Sequence, residues 1–119
     1  MIKYKENPEN NVVEICIDDK ITPADFEQIN TQLKAGIQKH GKLRILEEVS
    51  SNYGMDSMML LKDILFGLSP TNDFTHAALV TDAKWMPTYV QAIDNVLSTK
   101  IKIFESAEID EARNWLTNS

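Results

Sequence analysis

Leu43-Arg44-Ile45-Leu46-Glu47-Glu48-Val49, then an apolar stretch from Met55 to Leu68, then His76-Ala77-Ala78-Leu79-Val80 read as strand, helix, strand. The first and last are short apolar runs of strand length, and the middle one is long enough for a helix. The alternation continues with a helix near Lys84–Leu97 and a strand at Ile101–Phe104. Ser106 can then cap a final helix running to about Leu116. Strands joined through single helices require right-handed crossovers, and these build a parallel sheet.

Toward the N-terminus, Met1–Lys5 and Val12–Ile17 read as strands around the turn Asn7-Pro8-Glu9-Asn10-Asn11. Proline presets φ and asparagine tolerates tight backbone geometry, so the pair is expected as an antiparallel hairpin. Between hairpin and first parallel crossover lies a helix with both ends marked. Thr22 caps it, Pro23 fits its first position and Asp25 suits the positive end of its dipole. Phe26, Ile29, Leu33 and Ile37 form one apolar stripe, and Lys39, His40 and Gly41 close it. The expected fold is α/β, a single domain over 1–119. It has a five-stranded, mixed, mostly parallel sheet with an N-terminal antiparallel hairpin and about four helices.

The chain has 119 residues, and its 43% hydrophobic and 25% charged content is that of an ordinary globular domain rather than a disordered segment. Twelve basic against eighteen acidic residues leave a formal charge of −6, which disfavours nucleic acid and anionic membranes as partners. Cys16 is the only cysteine, so no internal disulfide can form. Met1-Ile2-Lys3-Tyr4-Lys5 lacks the apolar stretch of a signal peptide, and no apolar run approaches the ~20 residues that span a bilayer. A cytoplasmic protein without membrane insertion is expected.

The residue types that carry chemistry are sparse. There is no Gly-x-Ser-x-Gly elbow, and Cys16 lies mid-strand, where a buried inert thiol is expected. His40 and His76 have no paired spacing for a metal, and His40 suits the helix dipole. Gly36, Gly41, Gly54 and Gly67 are scattered and make no phosphate cradle. Glu47 and Glu48 point to opposite faces of a strand and cannot share a site. Glu108, Asp110 and Glu111 fit the first turn of the last helix. These carboxylates, with Asp18 and Asp19, are expected as solvated or capping charges. No catalytic residue, metal or cofactor follows from the sequence.

Two regions are candidates for binding. In Met55–Leu68, the residues Met58, Met59, Leu60, Leu61, Ile64, Leu65, Phe66 and Leu68 spread apolar surface beyond one stripe. A helix wedged between neighbours explains this structurally; an oligomer interface or the wall of an apolar ligand site explains it functionally. The second region is the carboxyl edge of the parallel strands, where open α/β sheets hold ligands. It should display Ser50, Ser51 and Asn52, then Thr81, Asp82, Lys84 and Trp85, then Glu105. Its structural explanation is that Asp82 caps the next helix and Trp85 covers the sheet edge.

His76-Ala77-Ala78-Leu79-Val80-Thr81-Asp82-Ala83-Lys84-Trp85, Lys102-Ile103-Phe104 and Glu111-Ala112-Arg113-Asn114-Trp115-Leu116 carry a resemblance. They resemble the SpoIIAA-like bacterial proteins, relatives of the STAS domain and, more distantly, of CRAL-TRIO lipid-binding domains. Asp63 also looks like a family position. The resemblance implies a compact sheet covered by helices, and STAS relatives act as protein-binding switches. Some are controlled by phosphorylation of a serine at the start of the second helix. Met55-Asp56-Ser57 resembles that site, although Met58 and Met59 replace the serine and glycine that usually follow, and Ser57 also suits a helix cap.

The expectation is a non-enzymatic binding or regulatory module. Met55, Met58, Met59, Leu61, Asp63, Leu65, Phe66, Asp82, Lys84 and Trp85 would hold a protein partner, an apolar small molecule or a second copy of the chain. One alternative is a phospho-regulated switch resembling an anti-sigma-factor antagonist, with Ser57 as acceptor. The other is a small enzyme using Asp63, Asp82 and Lys84 as acid, base and cation.

Overall fold

The computed structural model describes residues 2–7, 10–17, 22–50, 74–84, 87–88, 91 and 99–118. Strand β1 (Ile2–Glu6) turns back into β2 (Val12–Ile17), where Asn10 Oδ1 accepts a hydrogen bond from the Val12 amide at 2.9 Å. Helix α1 (Pro23–His40) leads to β3 (Leu43–Val49), and β4 (Phe74–Val80) and β5 (Lys100–Phe104) follow. A short 3-10 turn (Ser106–Glu108) opens into helix α2 (Ile109–Asn118).

The five strands lie in chain order, β1-β2-β3-β4-β5. β1 pairs antiparallel with β2, and every later pair is parallel. This is the mixed sheet expected from the sequence. Among the described residues there are two α-helices against the expected four or so. Of the two remaining ranges, Met55–Leu68 lies outside the described residues, and Lys84–Leu97 lies mostly outside them.

Alternation along the strands sorts side chains onto two faces. On one face, Val13, Ile15, Ile17, Leu43, Ile45, Val49, Ala77 and Leu79 pack with Ile29 and Leu33 of α1. On the other, Val12, Leu46, Ala78, Val80 and Phe104 pack with Ala112 and Leu116 of α2. With both faces covered, apolar residues occupy both faces of β3 and β4, interrupted by Arg44, Glu47 and Glu48 on β3 and by Thr75 and His76 on β4.

The signals read at the ends of α1 are present as bonds. Thr22 Oγ1 accepts from the Asp25 amide at 3.1 Å, and the Thr22 amide donates to Asp25 Oδ2 at 3.2 Å. Gly41 closes the helix at φ 84°, where only glycine is unstrained. Gly36 lets the helix approach the sheet, because a Cβ there would stand 3.3 Å from Tyr4 Oη and 3.4 Å from Leu43 Cδ1. His40 Nε2 lies 3.1 Å from Glu6 Oε1, a contact that holds the Glu6 carboxyl below its ordinary range.

α2 is fastened by two arginines. Arg44 Nη1 on β3 donates to the Leu116 and Thr117 carbonyls, supplying partners that a helix C-terminus lacks. Arg113 donates from Nε and Nη2 to the two carboxylate oxygens of Glu14 on β2, at 3.0 and 3.1 Å. Among the described residues, no helix is long and apolar enough to cross a membrane.

Candidate functional site

The carboxyl edge of the sheet is described where β4 ends. Thr81 continues the ladder, its amide donating to the Phe104 carbonyl at 2.9 Å, while its Oγ1 accepts from the Ala83 amide at 3.1 Å. Thr81 and Ala83 are buried, so the turn alternates, and Asp82 and Lys84 stand exposed. Asp82 reaches across to the start of the last helix. Its Oδ1 accepts from the Ser106 amide at 3.0 Å, and its Oδ2 accepts from the Ser106 hydroxyl. These bonds favour the carboxylate and hold the Asp82 carboxyl below its usual range.

Asp82 and Lys84 are thus placed together on one exposed turn. The other expected binding residues, Met55, Met58, Met59, Leu61, Asp63, Leu65, Phe66 and Trp85, and the acceptor Ser57, lie outside the described residues. The long-range hold of Asp82 on Ser106 was not read from the sequence, because it joins residues 24 positions apart. The helix start also differs from the expectation. Ser106 was expected to cap the final helix, but it opens a 3-10 turn and α2 begins at Ile109.

The Glu108, Asp110 and Glu111 cluster sits at that helix start as expected. Glu108 Oε1 accepts from the Glu105 amide at 2.9 Å, and Asp110 pairs with Arg113 at 3.3 Å. His76, half-buried on β4, meets Trp115 edge to face with ring centroids 5.5 Å apart. Burial, then the charges of Arg44 and Lys100, lower its pKa. Cys16 is half-buried rather than buried. It lies in register between Lys3 and Glu48 on the face where α2 covers β3, β4 and β5.

Glu47 departs most from the sequence reading. Expected as a solvated or capping charge, it has no solvent exposure, and neither carboxylate oxygen makes a hydrogen bond. Burial alone pushes its carboxyl up to about 8. Its place in β3 explains this. Leu43, Ile45 and Val49 mark the face toward α1, and Glu47 shares their parity on the middle strand of the sheet. Its cross-strand neighbours are Ile15 and Leu79. The signal was available in the sequence, because the alternation that separates Glu47 from Glu48 also puts Glu47 with the core residues of β3. Asn30 Oδ1 on α1 is likewise buried without a partner.

A groove of about 330 Å³ runs beside α2 at the hairpin end of the sheet, with Lys5, Glu14 and Arg113 in its wall. Glu14 and Arg113 pair with each other in that wall, so these two charges are already matched.

Comparison with known proteins places these features in a family. The sequence profile of the SpoIIAA-like family matches residues 12–117, from the second strand through the last helix. No curated protein and no solved structure matches the chain.

Proposed function

The chain belongs to the SpoIIAA-like family, and from that premise we propose that it is a non-enzymatic regulatory module that docks a protein partner on the carboxyl edge of its sheet. The turn after β4 carries this reading. Thr81 and Ala83 are anchored in the interior, and Asp82 is held by Ser106, so the exposed turn is fixed before any partner arrives. A pre-ordered surface loses little freedom on binding, which favours recognition. The Met55–Leu68 segment connects β3 to β4 and supplies apolar side chains for the same contact, with Trp85 beside Lys84. Asp82, already committed to Ser106 and held ionised, is poorly suited to acid–base catalysis near neutral pH.

Family membership favours one further reading, that Ser57 phosphorylation releases the partner. Phosphate would add about −1.5 to −2 charges to an otherwise apolar stretch. Incubating the full chain with a source-cell lysate and ATP, then mapping phosphopeptides, tests it; an unmodified Ser57 overturns it.

Quantitative affinity purification tests the docking surface itself. The wild-type chain, Lys84→Glu and Trp85→Ala serve as baits in a lysate of the source cells. We expect one protein enriched by the wild type and lost by both variants, with unchanged thermal melting of the baits. Equal enrichment by all three contradicts the reading.

A further inference from the structure

Strand β5 ends the sheet on the side opposite the hairpin, and among the described residues no strand pairs with its outer edge. Half of its backbone is already used. The Phe104 carbonyl accepts from the Thr81 amide at 2.9 Å, so Phe104 turns its polar main-chain groups inward, toward β4. Along a parallel ladder, inward and outward residues alternate. Lys100 and Lys102 therefore share the inward direction, and Ile101 and Ile103 turn their amides and carbonyls outward. Unpaired main-chain groups of this kind are a template for one more strand.

The side chains of β5 divide by face. Ile101 and Ile103 stand on the α1 face, packed against the core yet only half-buried, so they keep apolar surface at the edge of the sheet. Lys100 and Lys102 stand exposed on the α2 face with Phe104. Neither lysine meets an acid across the strand pair, because Lys100 lies in register with His76 and Lys102 with Ala78. The opposite edge differs, since Lys5 on β1 lies opposite Glu14. Lys102 Nζ stands 5.2 Å from the centroid of the Phe104 ring. With Phe104, Asn114 and Trp115 it lines a groove of about 410 Å³ between β5 and α2. Glu111, which also lines it, lies in the first turn of α2, next to the carboxyl end of β5.

These features select the occupant. A second β5 laid antiparallel along the first and centred on Ile101 or Lys102 sets lysine opposite lysine, which is destabilising. A strand with acids at alternate positions places them beside Lys100 and Lys102 instead. The aliphatic residues between those acids then cover Ile101 and Ile103.

We propose that the outer edge of β5 receives an extended segment of a partner protein in which acidic and aliphatic residues alternate. The segment joins the sheet as a further strand. Ile101 and Ile103 supply the main-chain bonds, and Lys100 and Lys102 select the acids. This surface is separate from the turn after β4, and neither proposal depends on the other.

The test titrates the full-length chain with a blocked peptide that alternates glutamate and valine over the length of β5. One control peptide carries lysine in place of glutamate, and another is N-methylated at every backbone amide. The glutamate peptide should bind at one saturable site and slow amide exchange at Ile101 and Ile103. Exchange at Lys102, whose amide already faces β4, should stay unchanged. The double variant Lys100→Glu, Lys102→Glu should bind the glutamate peptide about tenfold more weakly and take the lysine peptide instead. Absence of saturable binding overturns the proposal, as does equal binding of either control peptide by the wild type. Protection at β1 rather than β5 overturns it too. So does a chain that is dimeric alone with Ile101 and Ile103 protected, because a second copy then holds the edge. The exchange pattern is read on the wild type, so it decides even if the variant fails to fold.

Discussion

Glu47 shows what a single residue can impose on the molecule. A buried polar group without a partner costs ~1–3 kcal/mol, and an ionised one costs more. The carboxyl, pushed up to about 8, is therefore protonated at neutral pH. The linkage sign follows from proton counting. Between the ordinary carboxyl range near 4.5 and about 8, the folded chain holds a proton that the unfolded chain has released. Stability should fall as pH rises through that window, by at most ~1.4 kcal/mol per unit from this one group. Above the window the loss is complete; below it the full contribution is present. Urea denaturation of the wild type between pH 5 and 8 should show the decline, and Glu47→Gln should flatten it. Parallel pH profiles for the two proteins would contradict the assignment. Reading the residue types alone placed Glu47 with the solvated acids. Its parity with Leu43, Ile45 and Val49 is visible in the sequence, and the middle position of the strand, a tertiary property, completes its burial.

The secondary elements were legible to very different depths. α1 could be read down to its capping groups because all its signals are local, lying within three or four residues of each end. The start of α2 could not, because Ser106 is held by Asp82 from the turn after β4. Nor could the fastening of its far end by Arg44, which joins β3 to the Leu116 carbonyl across 72 positions. These contacts set an order of sensitivity. Thr22→Ala removes one exposed cap and should cost ~1 kcal/mol. Gly41→Ala places a side chain at φ 84° and should cost a similar ~1 kcal/mol. Leu116→Ala empties a fully buried position between α2 and the sheet and should cost ~2–5 kcal/mol. Denaturant midpoints of the three variants check the order; a Leu116→Ala loss no larger than that of Thr22→Ala would mean that α2 is loosely packed.

For the molecule as a whole, strand–helix alternation was enough to anticipate a mostly parallel sheet with an antiparallel hairpin at one edge. That pattern depends on short apolar runs and their spacing, and both are visible in one sequence. The site was less legible. Sequence reading found Asp82 and Lys84 on one edge, yet the clasp that fixes their turn is a contact between distant elements. The docking proposal rests on the same whole-molecule logic. Thr81 and Ala83 anchor the turn while Asp82 and Lys84 stand exposed, and a surface ordered in this way would dock a partner with little loss of freedom. Asp82→Ala should leave the fold intact while loosening that turn, seen as faster amide exchange at residues 83 and 84; unchanged exchange would separate the clasp from the rigidity attributed to it.

The central claim, that a protein partner docks on this edge, is tested most directly by amide hydrogen exchange on the full-length chain with and without the protein that the wild-type bait enriches. The docking account predicts slowed exchange at residues 81–84 in the complex, with α2 unchanged. Protection confined to α2, or none at the β4 turn, would contradict it.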